Sequence, residues 1–125
     1  MSKLMWGAAL LMALTTGVHL FMGTSEIMGP IQVADLELVI KSTAMVVWHG
    51  VTLILVLSTF GIAFLARHKN QNLALFIVAI QFGFVRLFLF YTLTVFGGLF
   101  ALPQWTVFLL VAALMSASIY KDAQS

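Results

Sequence analysis

The sequence predicts an all-α polytopic membrane protein, a bundle of four transmembrane helices with a short interfacial helix in its first outer loop. Three observations point there. Charged residues make up only 8% of the 125 positions, about a third of the roughly 25% found in soluble domains. Hydrophobic residues make up 62%. Charge is also absent over long stretches: none from Leu4 to Ser25, none from Ser42 to Ala66, none from Leu87 to Tyr120, and only Arg86 between Asn70 and Thr94. Each stretch suits a span of about 20 residues, and four of them fill the chain as a single domain, 1–125.

Unpaired backbone amides in hydrocarbon cost several kcal/mol each, so every span must be a continuous helix. A β-barrel would need alternating segments of about ten residues, and the sequence shows none. Helix 1 is expected over 4–22. Its apolar run outlasts the h-region of a signal peptide and lacks a small-x-small cleavage site, so it reads as a retained span. The first outer loop, 23–41, interleaves Ile31, Val33, Ala34, Leu36, Leu38, Val39 and Ile40 with Gln32, Asp35 and Glu37 after Gly29-Pro30. That pattern suits a short helix at the interface or over the bundle mouth. Helix 2 is expected over 42–66, a tight inner turn over 67–70 and helix 3 over 71–94. The second outer loop, 96–103, is apolar enough to reach the headgroup region, with Trp105 as its interfacial anchor. Helix 4 follows over 104–120.

Lys3, Arg67, His68, Lys69 and Lys121 fall on one side of this topology, whereas Glu26, Asp35, Glu37 and a single lysine, Lys41, fall on the other. Basic short loops stay in the cytoplasm, which makes both termini cytoplasmic. The chain has no cysteine, which removes disulfides, thiolate metal sites and cysteine nucleophiles. A net charge of +2 without a polybasic run argues against nucleic acid as a partner. The partner that the composition implies is the lipid bilayer.

The remaining polarity converges on one depth. At about 1.5 Å per residue, His19 lies roughly 5 Å from the outer end of helix 1, His49 about 10 Å below the start of helix 2, and Arg86 about 12 Å short of Thr94. An arginine there costs about 2.5–3.5 kcal/mol on insertion scales, so a partner is expected. Glu26 is the best placed, with Asp35 or Glu37 behind it. These residues define a candidate ligand-binding centre of His19, Glu26, His49 and Arg86. Helical spacing also puts Met12, Thr15, His19 and Met22 on one stripe, and Ser42, Met45, His49, Thr52 and Val56 on another. His19, Met22, Met45 and His49 are therefore candidate metal ligands: thioether with imidazole suits copper(I), and two facing imidazoles suit a haem iron. Gln81, about 140° round the helix from Arg86, is expected at a helix contact or an oligomer interface.

No hydrolase set, HExxH motif or phosphate-cradling loop is present. The leading reading is a non-enzymatic protein whose centre binds a metal ion or an anionic or lipid headgroup in an envelope or transport process. A second is a b-type haem protein with His19 and His49 as axial ligands, an electron carrier or oxidoreductase subunit. A third is proton-coupled transport by a homo-oligomer or within a larger membrane complex.

The run His19, Gly23, Glu26, Pro30-Ile31, Lys41, Trp48-His49 and Thr52 resembles the signature of a group of small bacterial four-helix membrane proteins. There a helix-1 His precedes Gly and Glu, a Pro-Leu or Pro-Ile pair, a basic residue and a Trp-His pair with a hydroxyl one turn later. The likeness covers 19–52, with His19 and Glu26 more loosely spaced here. It implies a bacterial inner-membrane protein in which His19, Glu26 and His49 act as a unit, and it implies no particular reaction.

Overall fold

The computed structural model describes residues 2–125. Their regular structure is entirely helical: α1 Lys3–Gly17, a π-helical segment Val18–Met28, α2 Gly29–Val33, α3 Leu38–Leu65, α4 Gln71–Phe96 and α5 Trp105–Gln124. Four stretches are long and apolar enough to cross a membrane: Lys3–Val33, Leu38–Leu65, Gln71–Phe96 and Trp105–Gln124. The protein is a four-span helical bundle of the bilayer.

The spans end close to where charge breaks the hydropathy except at the first connection, where helix 1 outruns Met22 and α3 starts early at Leu38, and at the last helix, which runs on to Gln124. Helix 1, expected to stop at Met22, runs on through the π-helical segment into α2 without a break. Hydroxyl side chains bond back to the main chain along the π-helical segment. The Thr24 hydroxyl donates to the His19 carbonyl five residues back, and the Ser25 hydroxyl donates to Phe21 and Met22. Pro30, which has no N–H to give, marks the return to α geometry in the first turn of α2. The interfacial helix expected after Gly29-Pro30 is thus the five-residue tip of the first span. Leu38 to Ile40 belong to α3 instead, where Lys41 Nζ donates to the Gln32 carbonyl at 2.9 Å and ties the two ends together.

Within the bundle α1 packs along α3 and α5, and α5 along α4, while α3 and α4 meet over a shorter stretch. They meet near their common turn: a Cβ on Gly61 would lie 2.7 Å from Ile77 Cδ1. Packing, not water exclusion, holds helices together in lipid, so small residues at the crossings matter. Ala8 and Ala112 are fully buried among Met5, Met12, Leu55, Ile62, Val111 and Met115. Phe108 stacks on Phe84 at 4.7 Å and on Phe88 at 5.9 Å, closing α5 against α4. Large apolar side chains such as Phe21, Phe60 and Phe76 point outward, as a hydrocarbon solvent allows.

Both ends are closed by specific contacts. Ser2 Oγ accepts from Met5 N and Asn70 Oδ1 from Leu73 N, capping α1 and α4. Arg67 lies 5.3 Å over the Trp6 ring, Lys69 pairs with Asp122 at 3.7 Å, and Lys3, Lys69 and Lys121 share one cleft. The basic residues therefore gather at one end, as their order along the chain suggests. At the other end Gly97, at φ 70°, stops α4 by turning its N–H back to Leu93 and Thr92. Thr92 Oγ1 accepts from Leu102 N at 3.1 Å, and Trp105 Nε1 donates to the Leu99 carbonyl at 2.7 Å. The loop over 97–104 is folded onto the bundle by these two bonds.

Candidate functional site

The polar contacts between the first two spans start from a glycine. A Cβ on Gly23 would lie 2.9 Å from Trp48 Cζ2 and 3.2 Å from Cη2, so only a bare backbone lets the indole lie against the π-helical segment. Trp48 Nε1 donates to Thr24 Oγ1 at 2.9 Å, and the ring stacks on His19 with centroids 4.1 Å apart and planes 16° from parallel. The wider turn of the π segment and Gly23 thus seat one large ring beside one imidazole.

His19 Nε2 lies 3.0 Å from Thr52 Oγ1 and 3.2 Å from the Trp48 carbonyl oxygen. A carbonyl only accepts, which assigns the proton of His19 to Nε2. The Thr52 hydroxyl donates to that same carbonyl at 3.3 Å and lies 3.4 Å from His49 Nδ1. When its one hydrogen goes to the carbonyl, Thr52 Oγ1 accepts a hydrogen bond from each imidazole, the His19 Nε2–H being shared between Thr52 and the Trp48 carbonyl. Lone pairs are then left on His19 Nδ1 and His49 Nε2. His19 is half-buried and His49 is exposed on the flank of α3. One turn further in, Thr16 and Thr59 hydroxyls meet at 3.3 Å and continue the polar seam between α1 and α3.

The structure brings His19 and His49 together and leaves Glu26 and Arg86 apart. Both of the latter are exposed, and the only ion pair among the described residues is Lys69 with Asp122. The expected Glu26–Arg86 pairing is not made, because the first span continues past Met22 and carries Glu26 beyond the level of Arg86. Asp35 and Glu37 are exposed and unpaired too, in the link between α2 and α3. The π register also moves Met22 off the His19 stripe, to 55% exposure, while Met45 is half-buried. Among the described residues no group of three or more His, Asp or Glu is placed to hold a metal ion. The Thr52 hydroxyl occupies the position between the inward nitrogens of the two imidazoles.

Trp48, Thr24 and Gly23 are the members that residue type alone does not mark as a site. Trp48 sits one residue, or about 100°, off the His49 stripe, so periodicity separates two neighbours that tertiary packing unites. A large open groove of about 520 Å³ lies beside the site, lined by Met28, Val39, Ile40, Thr43, Val47 and Trp48 among others. Val47 and Val51 each sit two residues from His49, which turns them about 160° away from it. The groove therefore lies mainly on the opposite flank of α3 from His49 and meets the site at Trp48. Comparison with family models, with curated proteins and with solved structures finds no match.

Proposed function

We propose that this four-span membrane protein binds a lipid-class molecule from the bilayer through a hydroxyl on its head, held by His49 with His19 and Thr52 behind it. The observation that carries the reading is the shared Thr52 hydroxyl, whose oxygen accepting a hydrogen bond from each ring leaves His49 Nε2 as a free acceptor on an exposed residue. From Leu65, the sixteen residues back to His49 rise about 24 Å. That level lies roughly 10 Å inside the outer hydrocarbon boundary, given a core of about 30 Å. At such a depth an anionic head needs a fixed cation beside it, and Arg86 is not there. A neutral alcohol needs only an acceptor, which the site provides. Copper(I) would use the same lone pair, and no third His, Asp or Glu stands with the two imidazoles among the described residues.

Native mass spectrometry of the purified protein tests this with dioleoylglycerol, its 3-O-methyl ether and phosphatidic acid. Dioleoylglycerol should bind about tenfold more tightly than the ether, the equivalent of about 1.4 kcal/mol for one hydrogen bond. His49→Ala should erase that preference. Equal binding of alcohol and ether would overturn the proposal, and a preference for phosphatidic acid would return the site to the anionic reading.

We also assign the basic end, with Lys3, Arg67, Lys69 and Lys121, to the cytoplasm. The resemblance over 19–52 favours a bacterial inner membrane. Because the chain has no cysteine, single-cysteine variants Ser2→Cys and Ser25→Cys report sidedness directly: an impermeant maleimide applied outside should label only the second.

A further inference from the structure

Arg86 has no ion-pair partner among the described residues, although it lies well inside a membrane span. The 26 residues of α4 rise about 39 Å against roughly 30 Å of hydrocarbon. Ten residues separate Arg86 from Phe96, which leaves it about 10 Å below the outer boundary. Its side chain has six bonds from Cα to the terminal nitrogens, too few to bring the charge fully into the headgroups. The chain's own carboxylates are all elsewhere: Glu26, Asp35 and Glu37 lie towards the outer end, and Asp122 pairs with Lys69 at the basic end.

The surrounding face of α4 is open. Its interior positions are Ala74, Ile77, Val78, Gln81, Val85 and Thr92, and Arg86 is about 140° round from Gln81. One turn before it, Gly83 is exposed, and a Cβ there would meet nothing within 4 Å. Packing inside this chain therefore does not require that glycine. Ala79, one turn earlier, is exposed as well, and Phe82 and Phe90 flank the guanidinium at 44% and 59% exposure. A small-residue approach with an unneutralised charge beside it is what a helix from another protein would fill, provided that it carries the opposite charge.

We infer that the Ala79–Gly83–Arg86 face of α4 docks a transmembrane helix of a different protein, one that carries an aspartate or glutamate about 10 Å inside the outer boundary. A second copy of this chain has no carboxylate at that depth, since its nearest, Glu26, lies nine residues beyond Gly17 on the continuing first span. The guanidinium would take the carboxylate as a paired hydrogen bond, while Gly83 lets the two backbones come close.

The test is fluorescence transfer in lipid vesicles between the labelled full chain and Leu/Ala host transmembrane peptides that differ only in one residue at the matching depth, Asp or Leu. The Asp peptide should associate at least tenfold more strongly than the Leu peptide. Arg86→Leu should abolish that difference, Arg86→Lys should keep part of it, and Gly83→Ile, which the fold has room for, should weaken it. Equal association of the two peptides would overturn the inference and leave Arg86 to lipid phosphate. Self-association of the chain lost in both Arg86→Leu and Glu26→Gln would overturn it in favour of a second copy.

Discussion

Gly23→Ala probes the seat of Trp48, and its effect should change sign with the residue it faces. The added methyl would stand 2.9 Å from Trp48 Cζ2 and 3.2 Å from Cη2, inside the 3.4–4 Å of ordinary contact. The indole has little freedom to withdraw, because one hydrogen bond to Thr24 and one stacked imidazole fix it. Overpacking of this kind costs about 1–3 kcal/mol. Moving the ring also loosens a stack worth about 0.5–1.5 kcal/mol. Against this stands the gain of about 1 kcal/mol that alanine brings over glycine in a helix, so the net expected loss is about 1–3 kcal/mol. Phenylalanine at position 48 lacks both clashing atoms, so Gly23→Ala in a Trp48→Phe background should stabilise by up to about 1 kcal/mol. Unfolding in dodecylmaltoside micelles, followed by circular dichroism, measures both, and Trp6→Phe with Trp105→Phe leaves Trp48 as the sole tryptophan for emission in the first background. The same sign in both backgrounds, with unchanged Trp48 emission, would refute the described packing of the π-helical segment against α3.

Other outcomes follow from single contacts. Both amide atoms of Gln81 are buried without a hydrogen-bond partner among the described residues, so Gln81→Leu should raise stability by about 1–3 kcal/mol in the same unfolding measurement. Gly97 holds φ 70° at the end of α4, and Gly97→Val should cost about 1–2 kcal/mol, read as a lowered thermal midpoint. Lys69 and Asp122 are 59% and 32% exposed at 3.7 Å, so Lys69→Met should shift stability by less than about 1 kcal/mol.

The four spans were legible because charge placement is a one-dimensional signal: whatever the tilt, a helix crossing hydrocarbon must leave its charges at the ends. The first connection was harder to read. Nothing in the residue pattern of Val18 to Met28 separates a π register from an α one until the hydroxyls of Thr24 and Ser25 are seen bonding backward. That shift undid the predicted helix 1 end, the Met22 stripe and the reach of Glu26 together. His49 and Thr52 shared a predicted stripe and do touch, since α3 is regular through that stretch. The link to His19 depends on how α1 crosses α3, which helical spacing within either span does not encode. Gly23 was a readable sign in retrospect, a glycine facing a tryptophan of the next span. For Arg86 the shared depth expected of Glu26 pointed to an ion pair that the structure does not make, and a cost of that kind is also met by another chain.

The central claim is the imidazole pair that leaves its outer lone pair to a lipid alcohol. It is tested most directly by ¹⁵N spectra of the histidine rings in bilayers, with and without dioleoylglycerol. His19 should carry its proton on Nε2 and His49 on Nδ1, and saturation with the alcohol should shift His49 Nε2 while His68, at the basic turn, stays in place. His49 protonated on Nε2, or a His49 Nε2 signal indifferent to the alcohol in the folded protein, would contradict the account.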